Sequence, residues 1–203
     1  HLLNRVDLLT GWGLRLERVG RLTEAMAKHR EAAEYAGQAE RYWQHSLFSR
    51  GPNATAADEL PAVSCALAIA GPHPGHLDRL RRQSTRAHYA REVITLAIAS
   101  ARCLEAAGHR GEAVTVLADT TDALETTDPD NTERTLRLSL ARELARLAES
   151  EAAMRTWAGY ATAVEFELWA LREARQAALY ARLEHERLSR EHGAVTRQAL
   201  QDP

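Results

Sequence analysis

Histidine is the side chain of this sequence best suited to binding a metal ion, and four histidines occur in two close pairs. His73 and His76 flank a Pro-Gly segment, and His185 and His192 lie seven residues apart near the C-terminus. A closed zinc site needs four ligands, and neither pair has a third or fourth ligand at local spacing. We therefore predict no metal site.

Nucleophilic chemistry has equally little basis in the sequence. Cys65 and Cys103 lie in apolar stretches, where a free cysteine behaves as a small hydrophobic side chain, so we expect two buried thiols. There is no Gly-rich phosphate loop, no nucleophile elbow and no His-Glu-x-x-His motif. We predict no catalytic residue and no cofactor. An all-helical enzyme remains an alternative, which a deep polar pocket with several ionisable groups would reveal.

The overall composition limits the partners. The chain has 203 residues, 45% of them apolar but only 5% aromatic, and a net charge of −2 from 26 basic and 28 acidic residues. Because the chain has no excess of positive charge to bind phosphates, we do not expect a nucleic acid partner. No segment approaches the ~20 apolar residues needed to cross a bilayer, so we expect no membrane contact and a cytoplasmic location. The first residue is His1, so we expect an excised piece of a longer protein.

Apolar residues recur with helical spacing along the whole chain, so every predicted element is a helix. Gly37 is predicted to separate two helices, and Pro61 either kinks a helix or begins it. The last helix is one very long helix or two collinear ones. We expect Trp12, Trp43, Trp157 and Trp169 to be buried between helices. The predicted helices are about 2–19, 22–36, 38–48, 55–70, 76–87, 89–107, 112–125, 132–148 and 151–200.

Two stretches share one pattern of small residues and leucine. In each, a small residue lies where two helices meet, a glycine ends the first helix and an alanine lies on the packed face of the second. The first stretch contains Gly13, Leu16, Gly20, Ala25 and Ala32, and the second has Ala101, Leu104, Gly108, Ala113 and Thr120 at the same spacings. The pattern predicts two helical hairpins of the same kind.

The first stretch resembles the tetratricopeptide repeat, and the second keeps four of its five positions. The resemblance implies an all-α fold of stacked helical hairpins, an α-solenoid, over residues 1–150, followed by a long terminal helix over 151–203. Such scaffolds expose an extended surface for recognition, which implies a protein or peptide partner.

Tetratricopeptide repeats bind their partners along a concave face lined by the first helix of each hairpin. The Lys and Asn residues of the clamp that binds chaperone tails are missing here, which disfavours a chaperone-tail receptor. The register of the two stretches places eight candidate contacts on the concave face: Asp7, Thr10, Leu14, Glu17, Thr95, Ile98, Arg102 and Glu105.

The last helix changes character along its length. Leu168, Leu171, Leu179 and Leu183 share one side, whereas Leu188, Val195 and Ala199 lie on nearly the opposite side. Leu188 and Val195 are seven residues apart, as in a coiled coil. These last three residues form a candidate helix-pairing seam for a homodimer, and the alternative is a solvated tail.

The C-terminal residues Ala199, Leu200, Asp202 and Pro203 resemble the lead-in to GGDEF domains, the diguanylate cyclase modules of bacterial cyclic di-GMP signalling. In that family Ala-Leu-x-Asp-Pro continues with Leu-Thr-Gly-Leu. The resemblance implies that the chain is a regulatory region without activity of its own, and that about 184–203 link it to a catalytic domain. Cyclases of this family work as dimers, so pairing of this helix would control how two catalytic halves meet. The alternative is a scaffold that binds a peptide or protein, alone or attached to a transcription regulator.

Overall fold

The protein is all-helical over the residues that the structure, a computed structural model, describes: 2–45, 60–85, 87–148 and 150–199. Side chains are not described at 44, 45, 150–154, 156, 191 and 193–199. The described part has no strand, which confirms the all-α prediction there. Its helices are α1 (Leu2–Arg18), α2 (Leu22–His45), α3 (Pro61–Ala70), α4 (Leu77–Ser84), α5 (Ala90–Ala106), α6 (Arg110–Thr127), α7 (Arg134–Leu147) and α8 (Ser150–Ala199), with a 3-10 turn at Pro74–His76.

A glycine in the turn terminates each of α1 and α5, as the repeated pattern predicts. Gly20 follows α1 with a φ of +77°, and Gly108 follows α5 with a φ of +82°. Glycine adopts this left-handed conformation without steric cost. In both turns the next residue donates its N–H to the carbonyl five residues earlier, at 2.9 Å: Arg21 to Leu16 and His109 to Leu104. The two hairpins therefore share one turn geometry, the Schellman motif.

The helix contact inside each hairpin is made by a small residue and a larger one. A Cβ added to Gly13 would lie only 2.3 Å from Cε1 of His29, a residue that is 5% exposed. In the second hairpin Ala101 and Leu117 occupy the corresponding positions, and both are fully buried. The histidine ring thus packs against glycine in the first hairpin, whereas both corresponding positions of the second hairpin belong to the apolar core.

Packing of consecutive helices builds the hydrophobic core. From α1 to α7, each helix packs on the next, and the odd-numbered helices also pack on one another in the pairs α1–α3, α3–α5 and α5–α7. Helix α7 in addition contacts α1. The larger apolar cluster includes Leu14, Leu80, Ile98, Leu117 and Leu140. The odd-numbered helices therefore come together around a shared interior.

Helix α2 differs from the prediction because Gly37 does not end it. Glycine inside a helix costs roughly 1 kcal/mol relative to alanine, but Ala32, Ala36 and Ala39 around it are buried with residues of α1 and α3. This packing outweighs the local preference. The predicted helix 38–48 is thus part of α2 as far as His45, and residues 46–48 lie outside the described part.

Pro61 is the first residue of α3, where its missing N–H costs no hydrogen bond. Of the two alternatives for Pro61, the structure therefore shows the helix start. Residues 55–59 of the predicted helix lie outside the described part.

The chain divides into two compact units, residues 1–160 and 161–203. The boundary lies within α8, a single helix of 50 residues. In the second unit the side chains of Leu168, Leu171, Leu179 and Leu183 are between 49% and 61% exposed.

All four tryptophans were predicted to be buried, and for three of them the prediction is wrong. Trp12 is 50% exposed, Trp157 45% and Trp169 57%, while Trp43 is partly buried. Helical periodicity located these side chains on faces of their helices, but whether a face is buried depends on the packing of the other helices.

Replacing Gly13 by alanine tests the close contact of the first hairpin. We expect Gly13→Ala to lower the free energy of unfolding by about 1–3 kcal/mol, because the new methyl group must displace the buried His29 ring. Gly11→Ala in the same helix is the control: nothing lies within 4 Å of its added Cβ, so we expect it to stabilise by about 0.4–1 kcal/mol. Urea unfolding followed by circular dichroism measures both, and a Gly13→Ala variant as stable as wild type would contradict the contact.

Candidate functional site

A groove of about 730 Å³ runs along α1. Helix α1 contributes residues from Asp7 to Arg18, and Val19 follows directly after it. Residues 132–136, just before and at the start of α7, form another wall. Helices α3 and α5 add Ala62, Cys65, Arg91 and Thr95. The groove lies entirely within the first compact unit.

Large apolar side chains in this groove, two on α1 and one directly after its last residue, are open to solvent. Leu8 is 66% exposed, Trp12 50% and Val19 69%. The Nζ of Lys28 lies 4.8 Å from the centroid of the Trp12 ring, within the range of a cation–π interaction. Clustered exposed apolar side chains of this kind are typical of binding surfaces.

Gly11 leaves an open space in the same groove. It lies one helical turn after Asp7 and one turn before Arg15, so all three share a face of α1. An added Cβ would meet nothing within 4 Å. Because the helix has no side chain here, the groove is open in the middle of α1.

Polar groups gather where α1, α5 and the α6–α7 turn meet. Arg91 donates from Nε and Nη2 to the two carboxylate oxygens of Glu133, at 3.0 and 3.3 Å. Burial raises the pKa of the nearby Asp7 carboxyl, and the charge of Arg91 offsets only part of this increase. The Thr10 hydroxyl is buried and has no hydrogen-bond partner in the part of the chain that the structure describes.

A second polar feature, the ion cluster, links four helices. We define it as Glu17 of α1, His29 of α2, Arg102 and Glu105 of α5, and Arg142, Glu143 and Arg146 of α7. Arg102 donates to both oxygens of Glu17, at 3.1 and 2.5 Å, and to Glu143 at 2.7 Å. Arg146 donates to both oxygens of Glu105, at 2.7 and 2.6 Å, and also to Glu143.

The ion cluster keeps the partly buried carboxylate of Glu17 charged. Glu143 has only 2% of its side chain exposed, and Glu17 has 13%. Burial by itself would raise the pKa of Glu17, but hydrogen bonds from Nε2 of His29, at 2.9 Å, and from Arg102 lower it to about 2. Glu17 is therefore an ionised acceptor at neutral pH.

The eight candidate residues of the concave face fall into three environments. Asp7, Thr10 and Thr95 line the groove. Glu17, Arg102 and Glu105 belong to the ion cluster. Leu14 and Ile98 are 1% and 0% exposed, so no partner reaches them in this structure.

The candidate helix-pairing seam is described only in part. Leu188 is 51% exposed in the second unit. Val195 and Ala199 belong to α8, but their side chains lie outside the described residues.

Arg91, Glu133, Arg142, Glu143 and Arg146 are polar residues of the two sites that sequence reasoning missed. Four of them lie in or next to α7, which has no match to the repeat pattern. In a succession of hairpins α7 is the first helix of the next pair. Only that order could have predicted that one face of α7 lies inward.

Both cysteines are buried, as predicted. Burial raises the pKa of the Cys65 thiol to about 12, so this groove residue stays protonated and unreactive at neutral pH. His73 accepts a hydrogen bond at Nδ1 from the backbone N–H of Gly75, at 3.0 Å, and so caps the 3-10 turn. The described residues contain no group of three or more metal-ligating side chains.

The low pKa of Glu17 predicts a loss of stability in acid. Because the pKa falls from the ordinary 4.5 to about 2 on folding, the contribution of Glu17 is complete above about pH 4.5 and is lost as the pH falls toward 2. It corresponds to roughly 3 kcal/mol. We expect the stability difference between wild type and Glu17→Gln to shrink by about this amount between about pH 5 and pH 2 in urea unfolding.

Glu34→Gln is the control for the acid experiment, since Glu34 is exposed and forms no ion pair with the residues described. Its stability difference from wild type should stay nearly constant over the same range. If Glu17→Gln and Glu34→Gln depend on pH alike, Glu17 does not have the environment shown here.

Comparisons with known proteins give no match. No family model matches it, and searches of curated proteins and of solved structures find no significant match. Among the helices described, none is both long and apolar enough to cross a membrane. The chemistry of the groove and the ion cluster is therefore the basis on which we infer a function.

Proposed function

We propose that this chain is a non-catalytic interaction module that binds a peptide or protein segment in the groove along α1. The observation that carries the proposal is the wall of exposed Leu8, Trp12 and Val19 in a groove of about 730 Å³. Grooves of this size with apolar walls and a few polar groups are common binding sites. Tryptophan is also the side chain most enriched among residues that dominate binding energy.

The fold proposed for this module is a tetratricopeptide-like solenoid. Its support is the shared turn geometry at Gly20 and Gly108 together with the packing of each odd-numbered helix on the next. In such an arrangement the odd-numbered helices line the inner face. The ion cluster fills part of that face with the protein's own side chains, which favours the groove as the place where a partner binds.

Binding is favoured over catalysis by the chemistry of the groove. The Cys65 thiol is kept neutral by burial, and Arg91 is held by Glu133. The groove therefore offers no activated nucleophile. Its polar groups suit the orientation of a ligand better than the cleavage of one.

The module is further proposed to regulate an attached diguanylate cyclase in cytoplasmic cyclic di-GMP signalling. The support is the resemblance of Ala199, Leu200, Asp202 and Pro203 to the GGDEF lead-in. A homodimer through Leu188, Val195 and Ala199 would bring two cyclase domains together. A ligand in the groove would bias that pairing only by binding one arrangement more tightly than the other.

The natural gene downstream of Pro203 tests the cyclase proposal. A continuation with Leu-Thr-Gly-Leu followed by a GGDEF domain is expected. A basic helix-turn-helix domain in the same gene would favour the transcription-regulator alternative, and a stop codon would favour the stand-alone scaffold. Either result would remove the cyclase from the proposal and leave the groove as it is.

Filling the groove should abolish peptide binding. Peptides selected from a random twelve-residue phage library on the wild-type chain are measured by isothermal titration calorimetry. We expect Gly11→Phe, which puts a ring into the open space, and Trp12→Ala to weaken binding by at least ~30-fold, since hot-spot residues contribute 2 kcal/mol or more. Gly11→Ala is the matched control and should stay within about two-fold of wild type.

Circular dichroism and urea unfolding show whether the Gly11→Phe variant is folded. If folded Gly11→Phe binds every selected peptide as well as wild type does, the groove is not the binding site. In that case the proposed function is wrong.

A further inference from the structure

The groove along α1 carries opposite charges at its two ends. Asp7 and Glu133 line one end, together with the cations Arg91 and Arg134. Glu92 adds a third carboxylate beside them, in the adjoining cavity that Asp7, Arg91 and Glu133 also line. This end therefore has an excess of negative charge when its carboxylates are ionised.

The other end of α1 is basic. Arg15 and Arg18 both line the groove, one turn and nearly two turns after Gly11. Arg15 is exposed and forms no ion pair with the residues described. An anionic group would therefore meet positive charge here, in reach of a side chain that has no competing carboxylate.

The distance between the two ends fits a short peptide. Asp7 and Arg18 are 11 positions apart on one helix, which at 1.5 Å per residue is about 16 Å. An extended peptide rises about 3.3 Å per residue, so about five residues cover this length. The open space at Gly11, with Leu8 and Trp12 beside it, lies between the charged ends.

Asp7 and Thr10 are the two groups of the acidic end whose polar atoms are least compensated by the described residues around them. Burial raises the pKa of Asp7, and the neighbouring charges of Glu92 and Glu133 raise it further against the opposing effect of Arg91. A cation placed here would relieve that repulsion. The buried Thr10 hydroxyl, which has no partner in the described part of the chain, is a further group that a ligand amide would satisfy.

We propose that the groove selects an extended peptide segment of about five residues with a basic side chain at one end, an apolar side chain in the middle and an acidic side chain at the other end. The inference rests on the proposed function. A peptide acidic throughout would meet Asp7 and Glu133, and one basic throughout would meet Arg15 and Arg18. Like charges brought together in this way are strongly disfavoured.

Synthetic pentapeptides test the selection directly. The dipolar peptides are Lys-Ala-Phe-Ala-Glu and Glu-Ala-Phe-Ala-Lys, and both orders are needed because the chain direction in the groove is open. The comparison peptides are Glu-Ala-Phe-Ala-Glu, Lys-Ala-Phe-Ala-Lys and Gln-Ala-Phe-Ala-Gln. All are acetylated and amidated and carry a fluorophore on a neutral linker for anisotropy titrations. We expect one dipolar order to bind at least ten-fold more tightly than every comparison peptide.

Charge reversal on the protein gives a second, independent readout. Arg15 is exposed, so Arg15→Glu should leave folding unaffected. In this variant we expect Lys-Ala-Phe-Ala-Lys to bind at least ten-fold more tightly than the dipolar peptide. The double variant Asp7→Lys/Arg15→Glu should prefer the opposite dipolar order. Tyr42→Ala, at an exposed position of α2 away from the groove, is the control and should leave all preferences unchanged.

The results separate this inference from the proposed function. If peptides bind, are blocked by Gly11→Phe, and show affinities within about two-fold for all charge patterns, the charge selection is wrong and the groove still binds peptides. An unchanged preference in Arg15→Glu also overturns the selection. If no pentapeptide and no selected peptide is blocked by Gly11→Phe, the proposed function fails, and this inference fails with it.

Discussion

The guanidinium of Arg102 is the constraint on which the arrangement of the odd-numbered helices depends. It belongs to α5 and binds carboxylates of α1 and α7, which are far from it and from each other in the sequence. Taking these charges out of water is costly, and their attraction repays the cost only where every partner is in place. Removing Arg102 would take from Glu17 the donor to both of its oxygens, and would leave Glu143, with 2% of its side chain exposed, with Arg142 and Arg146 alone.

This constraint also explains why the surface for a partner is not the whole inner face. Helices α1 and α7 run in the same direction, since Glu133 lies near Asp7 at one end and Arg142 lies near Glu17 at the other. At the Glu17 end the ion cluster joins the helices. On the neighbouring face of α1, from Asp7 through Gly11 to Arg15, the groove stays open. The same helix therefore provides both an internal contact and a surface for binding.

Local rules were sufficient to predict most helices and turns. Gly20 and Gly108 end helices because only a left-handed residue closes that turn, a property that the sequence shows directly. Gly37 does not end a helix, because the burial of the alanines around it stabilises α2 through this position. Helix α8 was predicted as one or two helices, and it is continuous to Ala199.

The candidate site depended on contacts that periodicity does not contain. The transferred register placed Asp7, Thr10 and Thr95 on a face that does line the groove, yet it grouped them with Leu14 and Ile98, which are core residues. It also could not show that Glu17 and Arg102 bind each other, because the two lie 85 positions apart. The exposure of Trp12 depends on which helices pack against α1 at that point, and only the assembled fold reveals this.

The distance between α1 and α7 is the most direct test of the role of Arg102. Spin labels on Leu8→Cys in α1 and on Asp130→Cys in the turn that leads into α7 report it by double electron–electron resonance. The native Cys65 and Cys103 are buried away from the label. The account predicts that Arg102→Leu shifts or broadens the distance distribution, while Arg142→Leu, whose partners lie at 3.6 and 3.3 Å, changes it far less. A folded Arg102→Leu variant with the wild-type distribution would contradict the account.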